Sequence, residues 1–323
     1  MQHLRKSTLA TAVALSTALI AGQAQAAGFA LMEKDATGLG QAYANLATGN
    51  GESSGLVGNP AAMTQIDGTA ASGGVNYVMP SFELQPGATS TGVLGPVSGG
   101  LGDDAGDSAV IPNASIVHQL DEKTRVGVAL TVPFGLATEY EDGWLGRYHG
   151  IESHIEVIDI SPSFSLDITP EWTVGASFNV QRAEAKLTSA INSTAASGGT
   201  PLPDGSVEIE GDDWSVGYSL GVLWQATEAT QVGLAYHSGI EHELTGDVDY
   251  DMPAPLSSSL AFADSWAEAG LELPATAAAS VTHDFSDTLT ASVGVLWTGW
   301  SSFEELRVEH CFVSEAPTTE NWD

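Results

Sequence analysis

Cysteine and basic residues are both scarce in this chain. The one cysteine, Cys311, excludes an internal disulfide and stands in no metal or redox spacing pattern. Lys and Arg number 9 against 41 Asp and Glu, a formal charge of −32 that repels a polyanion, so nucleic acid is excluded as a partner. The acidic balance itself reads as surface solubility, in a salty habitat where screening moderates self-repulsion. Past the first 26 residues no stretch approaches 18 consecutive apolar residues, which excludes membrane-spanning helices. Catalytic signatures are missing too. There is no nucleophile elbow and no phosphate loop. His149 and His154 are five apart, as are His237 and His242, a spacing that suits neither one strand face nor a helical metal pair. Asp103, Asp104 and Asp107 fit no calcium loop. Neither an enzyme nor a cofactor is expected.

What is present begins with an export signal. Arg5 and Lys6 give a positive start, Leu9 to Ile20 is an apolar run, and Ala24-Gln25-Ala26 offers small residues for cleavage. The run is too short for a stable membrane anchor, which needs about 20 apolar residues. The mature chain is therefore expected to start near Ala27, outside the cytoplasm.

Beyond the signal the dominant pattern is alternation. Trp172, Val174, Ala176, Phe178 and Val180 alternate with Thr173, Gly175, Ser177, Asn179 and Gln181. Trp214, Val216, Tyr218, Leu220, Val222 and Trp224 repeat it, as do Leu289, Ala291, Val293, Val295 and Trp297. A period of two puts every apolar side chain on one face of a strand. A soluble sandwich also alternates, but here the second face is Gly, Ser, Thr, Asn and Gln, and tryptophans sit at strand ends. Lipid-facing bands bounded by aromatic girdles around a polar lumen have that composition. Connections agree. Short turns at 121–123, 169–171, 226–230 and 286–287 alternate with long segments at 85–108, 141–153, 188–212 and 246–272, the rule of outer-membrane barrels. The fold class is all-β, a transmembrane antiparallel barrel; a secreted soluble sandwich is the reading it displaces, and a secreted enzyme is a third possibility of function.

Three ordered segments then carry a family likeness. Ala27-Gly28-Phe29-Ala30-Leu31, Gly38-Leu39-Gly40-Gln41-Ala42-Tyr43 and Asn59-Pro60-Ala61-Ala62-Met63 are followed by Val132-Pro133-Phe134-Gly135-Leu136 and Gly146-Arg147-Tyr148. In this order they resemble the FadL/TodX family of outer-membrane fatty-acid and hydrocarbon transporters, over essentially the whole mature chain. The resemblance implies a fourteen-strand barrel with an N-terminal plug, giving a signal at 1–26, a plug at 27–68 and a barrel from 69 to 323. It implies passive transport of a long-chain fatty acid or other hydrophobic small molecule: capture at outer loops, transfer to a lumen pocket, and lateral exit at a kinked third strand. It further implies a bacterial outer-membrane location, a lipid and lipopolysaccharide environment, insertion by the barrel-assembly machinery and a monomer. A non-transporting surface barrel, an adhesin or phage receptor, is the alternative.

The expected site follows from this match. Phe29, Leu31 and Lys186 are the expected ligand contacts, and Asn59, Pro60 and Ala61 the plug motif. Pro133, Phe134 and Gly135 fall inside the third strand, where proline removes a ladder hydrogen bond and glycine permits a bend. Leu260, Phe262 and Trp266, within a predicted short amphipathic helix over 257–271, are the expected capture surface. Two departures stand beside it. Relatives that take fatty acids meet the carboxylate with basic lumen residues, and the arginine expected just after Lys186 reads Ser189. Arg182 has the parity of the apolar face and is expected to snorkel outward. About nine strands are counted by Phe303, and the chain is expected to be a truncated form of a longer protein.

Overall fold

A computed structural model describes residues 28–303, 305–310 and 318–321. The chain divides into two units, Met1–Ala30 and Leu31–Asp323. Of the first, only a turn at 28–30 is described, with Gly28 at φ +54°; the export signal lies outside the described residues, as does Cys311.

The second unit opens with a short helix, α1 (Ala36–Gly40), started by Asp35, whose side chain accepts from Gly38 N. A single turn, α2 (Gly55–Gly58), and a 3-10 helix over Pro60–Gln65 follow. Then comes a 13-stranded antiparallel sheet. Its first six strands are β1 (Thr69–Val78), β2 (Ala109–Gln119), β3 (Thr124–Glu139), β4 (Glu152–Asp167), β5 (Trp172–Ile191) and β6 (Gly205–Thr227), each paired with the next. After them come β7 (Thr230–His237), β8 (Ile240–Asp251), β9 (Ser265–Leu273), β10 (Thr276–Ser286), β11 (Leu289–Thr298), β12 (Glu305–His310) and β13 (Thr318–Asn321).

Beyond β6 the path divides. Its second half pairs with β7, which pairs with β10 and then β11, while its first half pairs with β8, then β9, β12 and β13. The division is a set of bends within continuous strands. His237 faces Thr276 below the interruption and Ile240 faces Leu273 above it, in one register. Joined across these bends, β7 with β8 and β9 with β10 make two long strands, while a 3-10 turn at Trp300–Ser302 follows β11. No helix among the described residues is long and apolar enough to cross a membrane.

Parity along the strands divides the wall into two storeys. We call the face covered by residues 31–66 inward. On β6 the outward face carries Glu208, Glu210 and Asp212, then Trp214, Val216, Tyr218, Leu220, Val222 and Trp224. On β4 it carries Glu156, then Ile158, Ile160, Phe164 and Leu166. The inward face reverses this order. Beneath the outward charges lie Ile155, Val157, Leu244 and Val248, whereas behind the apolar band lie Ser161, Ser163, Ser165, Ser177 and Ser219, all buried. The band from Trp214 to Trp224, at about 3.3 Å per residue and a tilt near 40°, is about 25 Å tall, the hydrocarbon thickness such barrels face. At its turn end Trp172 stacks on Trp224 with centroids 5.4 Å apart. The short turns therefore lie at one rim and the long connections rise beyond the charged storey at the other.

Two expectations need correction here. The loop over 188–212 is shorter than read, because β5 runs on to Ile191 and β6 begins at Gly205. The helix over 257–271 is absent. Two 3-10 turns, Leu256–Ser258 and Leu260–Phe262, lead into β9. From Trp266 the residues alternate, with Ala267, Leu271 and Leu273 buried between exposed Trp266, Glu268 and Glu272. A period of two prevailed over the helical reading.

Candidate functional site: an N-terminal segment inside the sheet and a seam at the third strand

The segment 31–66 docks on the inward face through small residues and buried polar groups. Leu56, Met63 and Ile66 pack with Val117 and Ala129, and Ala61 and Ala62 pack with Leu223. Full burial of such an aliphatic side chain contributes about 1.5–3 kcal/mol. The opposing wall must be bare for this approach. A methyl added at Gly175 would overlap Ala61 N, and one at Gly221 would overlap Asn59 Oδ1.

Asn59 is the hinge of the arrangement. Fully buried, it caps the 3-10 helix by accepting from Ala61 N at 2.9 Å. Its Nδ2 donates to Ala47 O at 2.6 Å and lies 3.3 Å from both Val222 O and Leu234 O. One amide thus joins two parts of the segment and two strands of the wall. Pro60, at the first position of its helix, needs no backbone donor there. At the turn end of the wall, Thr64 Oγ1 donates to Asp167 Oδ1 at 2.6 Å, and Arg125 pairs with Asp167 Oδ2 at 3.0 Å.

The third strand breaks its pairing on one side. β1 and β2 pair along their whole length to Val78↔Ala109, and β3 pairs with β4 up to Glu139↔Glu152. β2 and β3, between them, pair only from Gln119↔Arg125 to Ala114↔Leu130. The edges meet again at Gly106↔Thr138, where Glu139 N donates to Ala105 O at 3.0 Å. The seam, where β3 has no partner on β2, spans 131–137. Within it the β3–β4 register shifts between Thr131 and Phe134, so Val132 and Pro133 form a bulge. Leu31 N donates to Pro133 O at 2.9 Å, within the stretch that β2 leaves. A methyl on Gly135 would stand 3.0 Å from Leu31 Cδ1. Phe134 is buried and meets Trp300 edge to face at 6.2 Å. The seam faces β4 where its outward residues pass from Ile158 to Glu156, at the outer rim of the apolar band.

The other expected residues are dispersed. Phe29 belongs to the first unit. Lys186 shares the outward parity of Trp172 and Phe178, above the band, and its ammonium pairs with Glu152 at 3.0 Å and Glu208 at 3.3 Å. The hydrogen bond that the ammonium donates to Glu152 raises its pKa. Arg182 is outward as well, paired with Glu184 at 2.7 Å and Asp212 at 3.3 Å. Leu260 is 80 % exposed, Phe262 meets Tyr250 edge to face at 5.8 Å, and Trp266 points outward from β9. In the first long connection Asp104 accepts from Phe82 N at 2.8 Å and Gly106 N at 3.0 Å. Those donors hold its carboxyl below its usual pKa, as a turn rather than a cation site. Among the described residues no cluster of three or more ligating side chains could hold a metal ion.

Sequence reasoning missed a polar network across the inward face. Asp159 accepts from Asn179, from Gln181 Nε2 at 2.8 Å and from Ser161. Ser219 bridges Asn179 Oδ1 and His237 Nδ1 at 2.8 Å each. Nearby, burial lowers the pKa of Lys34, opposed by Asp159 and Asp35. Also missed was His242, fully buried, with Nδ1 3.0 Å from Asp213 Oδ2. Only alternation could have signalled these pairings, since most of the partners lie on neighbouring strands.

Comparison with known proteins agrees with this geometry. Residues 17–322 match the family described as Outer membrane protein transport protein (OMPP1/FadL/TodX). A 47 kDa outer membrane protein of Pasteurella multocida is 28% identical over 315 residues, covering 93% of this chain and 72% of the relative. The long-chain fatty acid transport protein of Salmonella typhi is 25% identical, with the same coverage. Among solved structures, a Pseudomonas aeruginosa FadL homologue superposes with a TM-score of 0.79 at 25% identity, over 88% of this chain and 72% of that one. The Ralstonia pickettii toluene transporter TbuX shares the fold, with a TM-score of 0.61 at 20% identity over 84% of this chain and 74% of that one. A match across nearly the whole chain, together with the barrel wall and the segment docked inside it, makes this chain a member of the OMPP1/FadL/TodX family of outer-membrane transport proteins.

Proposed function

We propose that this chain carries long-chain fatty acids or related hydrophobic compounds passively across the outer membrane, with lateral exit at the third strand. Residues 1–26 act as the export signal and 27–68 as the plug. The route runs from the long connections into the inward apolar storey, then past Leu31 to the seam between β2 and β3. The single observation that supports it is that seam, where β2 leaves β3 over 131–137 although the two meet at Gly106↔Thr138 above and Ala114↔Leu130 below. Unpaired strand edges are unfavourable in lipid unless something else occupies them. An apolar molecule leaving there enters hydrocarbon directly and need not cross the polar lower storey. Leu31 and Phe134 are the proposed ligand contacts. Lys186 is left out because it pairs with carboxylates on the outward face.

Uptake of labelled oleate and labelled toluene into a deletion strain carrying this gene tests the reading. It predicts a gain over empty vector for at least one of the two, and no gain for either would sink it. Gly135→Val, which pushes a branched side chain toward Leu31, is expected to lower uptake at least about threefold at unchanged surface abundance. Unchanged uptake in that variant would remove the lateral exit.

A further inference from the structure

His242 lies on the inward face of β8 between Ile240 and Leu244, opposite Leu271 of β9, and all four side chains are buried. Its Nδ1 stands 3.0 Å from Asp213 Oδ2. A carboxylate only accepts, so in the neutral ring Nδ1 carries the proton and Nε2 presents a lone pair. That Nε2 is buried and has no hydrogen-bond partner among the described residues. Such an unpaired acceptor costs about 1–3 kcal/mol, which is rarely tolerated without a use.

A second acceptor is in the same condition. Gln181 Oε1, on the inward face of β5, is buried and unpartnered, while its amide donates to Asp159. Cations that would greet a carboxylate are meanwhile committed: Arg125 to Asp167, Arg147 to Asp204, Arg182 to Glu184 and Asp212, and Lys186 to Glu152 and Glu208. Lys34 stands in the field of Asp159 and Asp35. The inner wall thus offers one unpaired acceptor in apolar surroundings, His242 Nε2, and a second, Gln181 Oε1, beside the polar network of Asp159.

We propose that His242 Nε2 is a recognition point for a substrate that brings a hydrogen-bond donor on an apolar body, a hydroxyl or an un-ionised carboxyl, with Ile240, Leu244 and Leu271 around the body. Asp213 is a positioning residue that fixes the tautomer. The inference rests on the transport reading above and narrows its substrate class.

The test is equilibrium binding to the full chain in outer-membrane vesicles, with 1-dodecanol, dodecane and laurate as probes. His242→Phe is expected to weaken dodecanol about tenfold, equivalent to about 1.4 kcal/mol. Dodecane binding is expected to stay within about twofold on the same scale. His242→Gln, which keeps an acceptor, should retain the dodecanol preference. In the native chain the Nε2 nitrogen resonance of His242 should shift with dodecanol and not with dodecane, a readout independent of any variant's assembly. Equal losses for both probes, no loss, or a resonance that ignores dodecanol would overturn the inference while leaving transport intact. A loss confined to ionised laurate would overturn it in favour of an anion site. No binding of any probe by the native chain would bring down the transport reading itself.

Discussion

Asn59 shows how much a single side chain can be asked to do. It serves three carbonyls and one backbone N–H, tying the N-terminal segment to β6 and β7. Asn59→Ala is expected to destabilise by about 2 kcal/mol, the loss of a cap together with carbonyls left unsatisfied. Asn59→Asp keeps the cap but sets a carboxylate against three carbonyl oxygens, so it is expected to cost at least about 3 kcal/mol. Urea unfolding in detergent micelles ranks the two, and an aspartate variant milder than alanine would contradict this view of the amide. The role of Asn59 was half legible in the sequence, since Asn-Pro is a turn signal. Its wall contacts were not, because Val222 and Leu234 are more than a hundred residues away. The Asp213–His242 pair, 29 residues apart on neighbouring strands, was hidden because cross-strand pairing leaves no mark in either strand's own pattern.

At the scale of elements, parity was the dependable guide. Counting by twos from Trp172 puts Arg182 and Lys186 outward, and the structure finds both there in ion pairs. Lys186 was expected inside only because a resemblance was followed in place of the count. Lys186→Ala is therefore expected to leave oleate uptake within about twofold of native and to change stability by less than about 1 kcal/mol, the usual worth of an exposed pair. A severalfold fall in uptake at constant abundance would return Lys186 to the site. The interruption in β3 was legible as Pro133 and Gly135 within an apolar strand. That β2 withdraws from β3 above Ala114 was not, because pairing between strands leaves no mark in either strand's own pattern. The helix expected over 257–271 failed where strand alternation from Trp266 overlapped a helical spacing of Leu260, Phe262 and Trp266.

For the whole molecule, the wall reverses its faces between Asp212 and Trp214. Below that level the outside is apolar and the inside polar; above it, charges face out and aliphatic residues face in. The reversal sets the depth of the barrel in the membrane, and the girdle tryptophans announced it in the sequence. Leu220→Arg, near the middle of the band, is expected to destabilise by about 2–4 kcal/mol in bilayers, whereas Glu210→Arg, above it, is expected to change stability by less than about 1 kcal/mol. Reversible unfolding in lipid vesicles compares them, and equal effects would misplace the band. The central claim is that apolar cargo leaves through the seam. A staple across it tests that claim most directly, with Asn113→Cys and Thr131→Cys placed just beyond the last paired residues, Ala114 and Leu130, in a Cys311→Ser background. The account predicts that oxidation abolishes uptake of labelled hydrophobic substrate and that reductant restores it. Equal uptake in the oxidised and reduced states, with the crosslink verified, would contradict it.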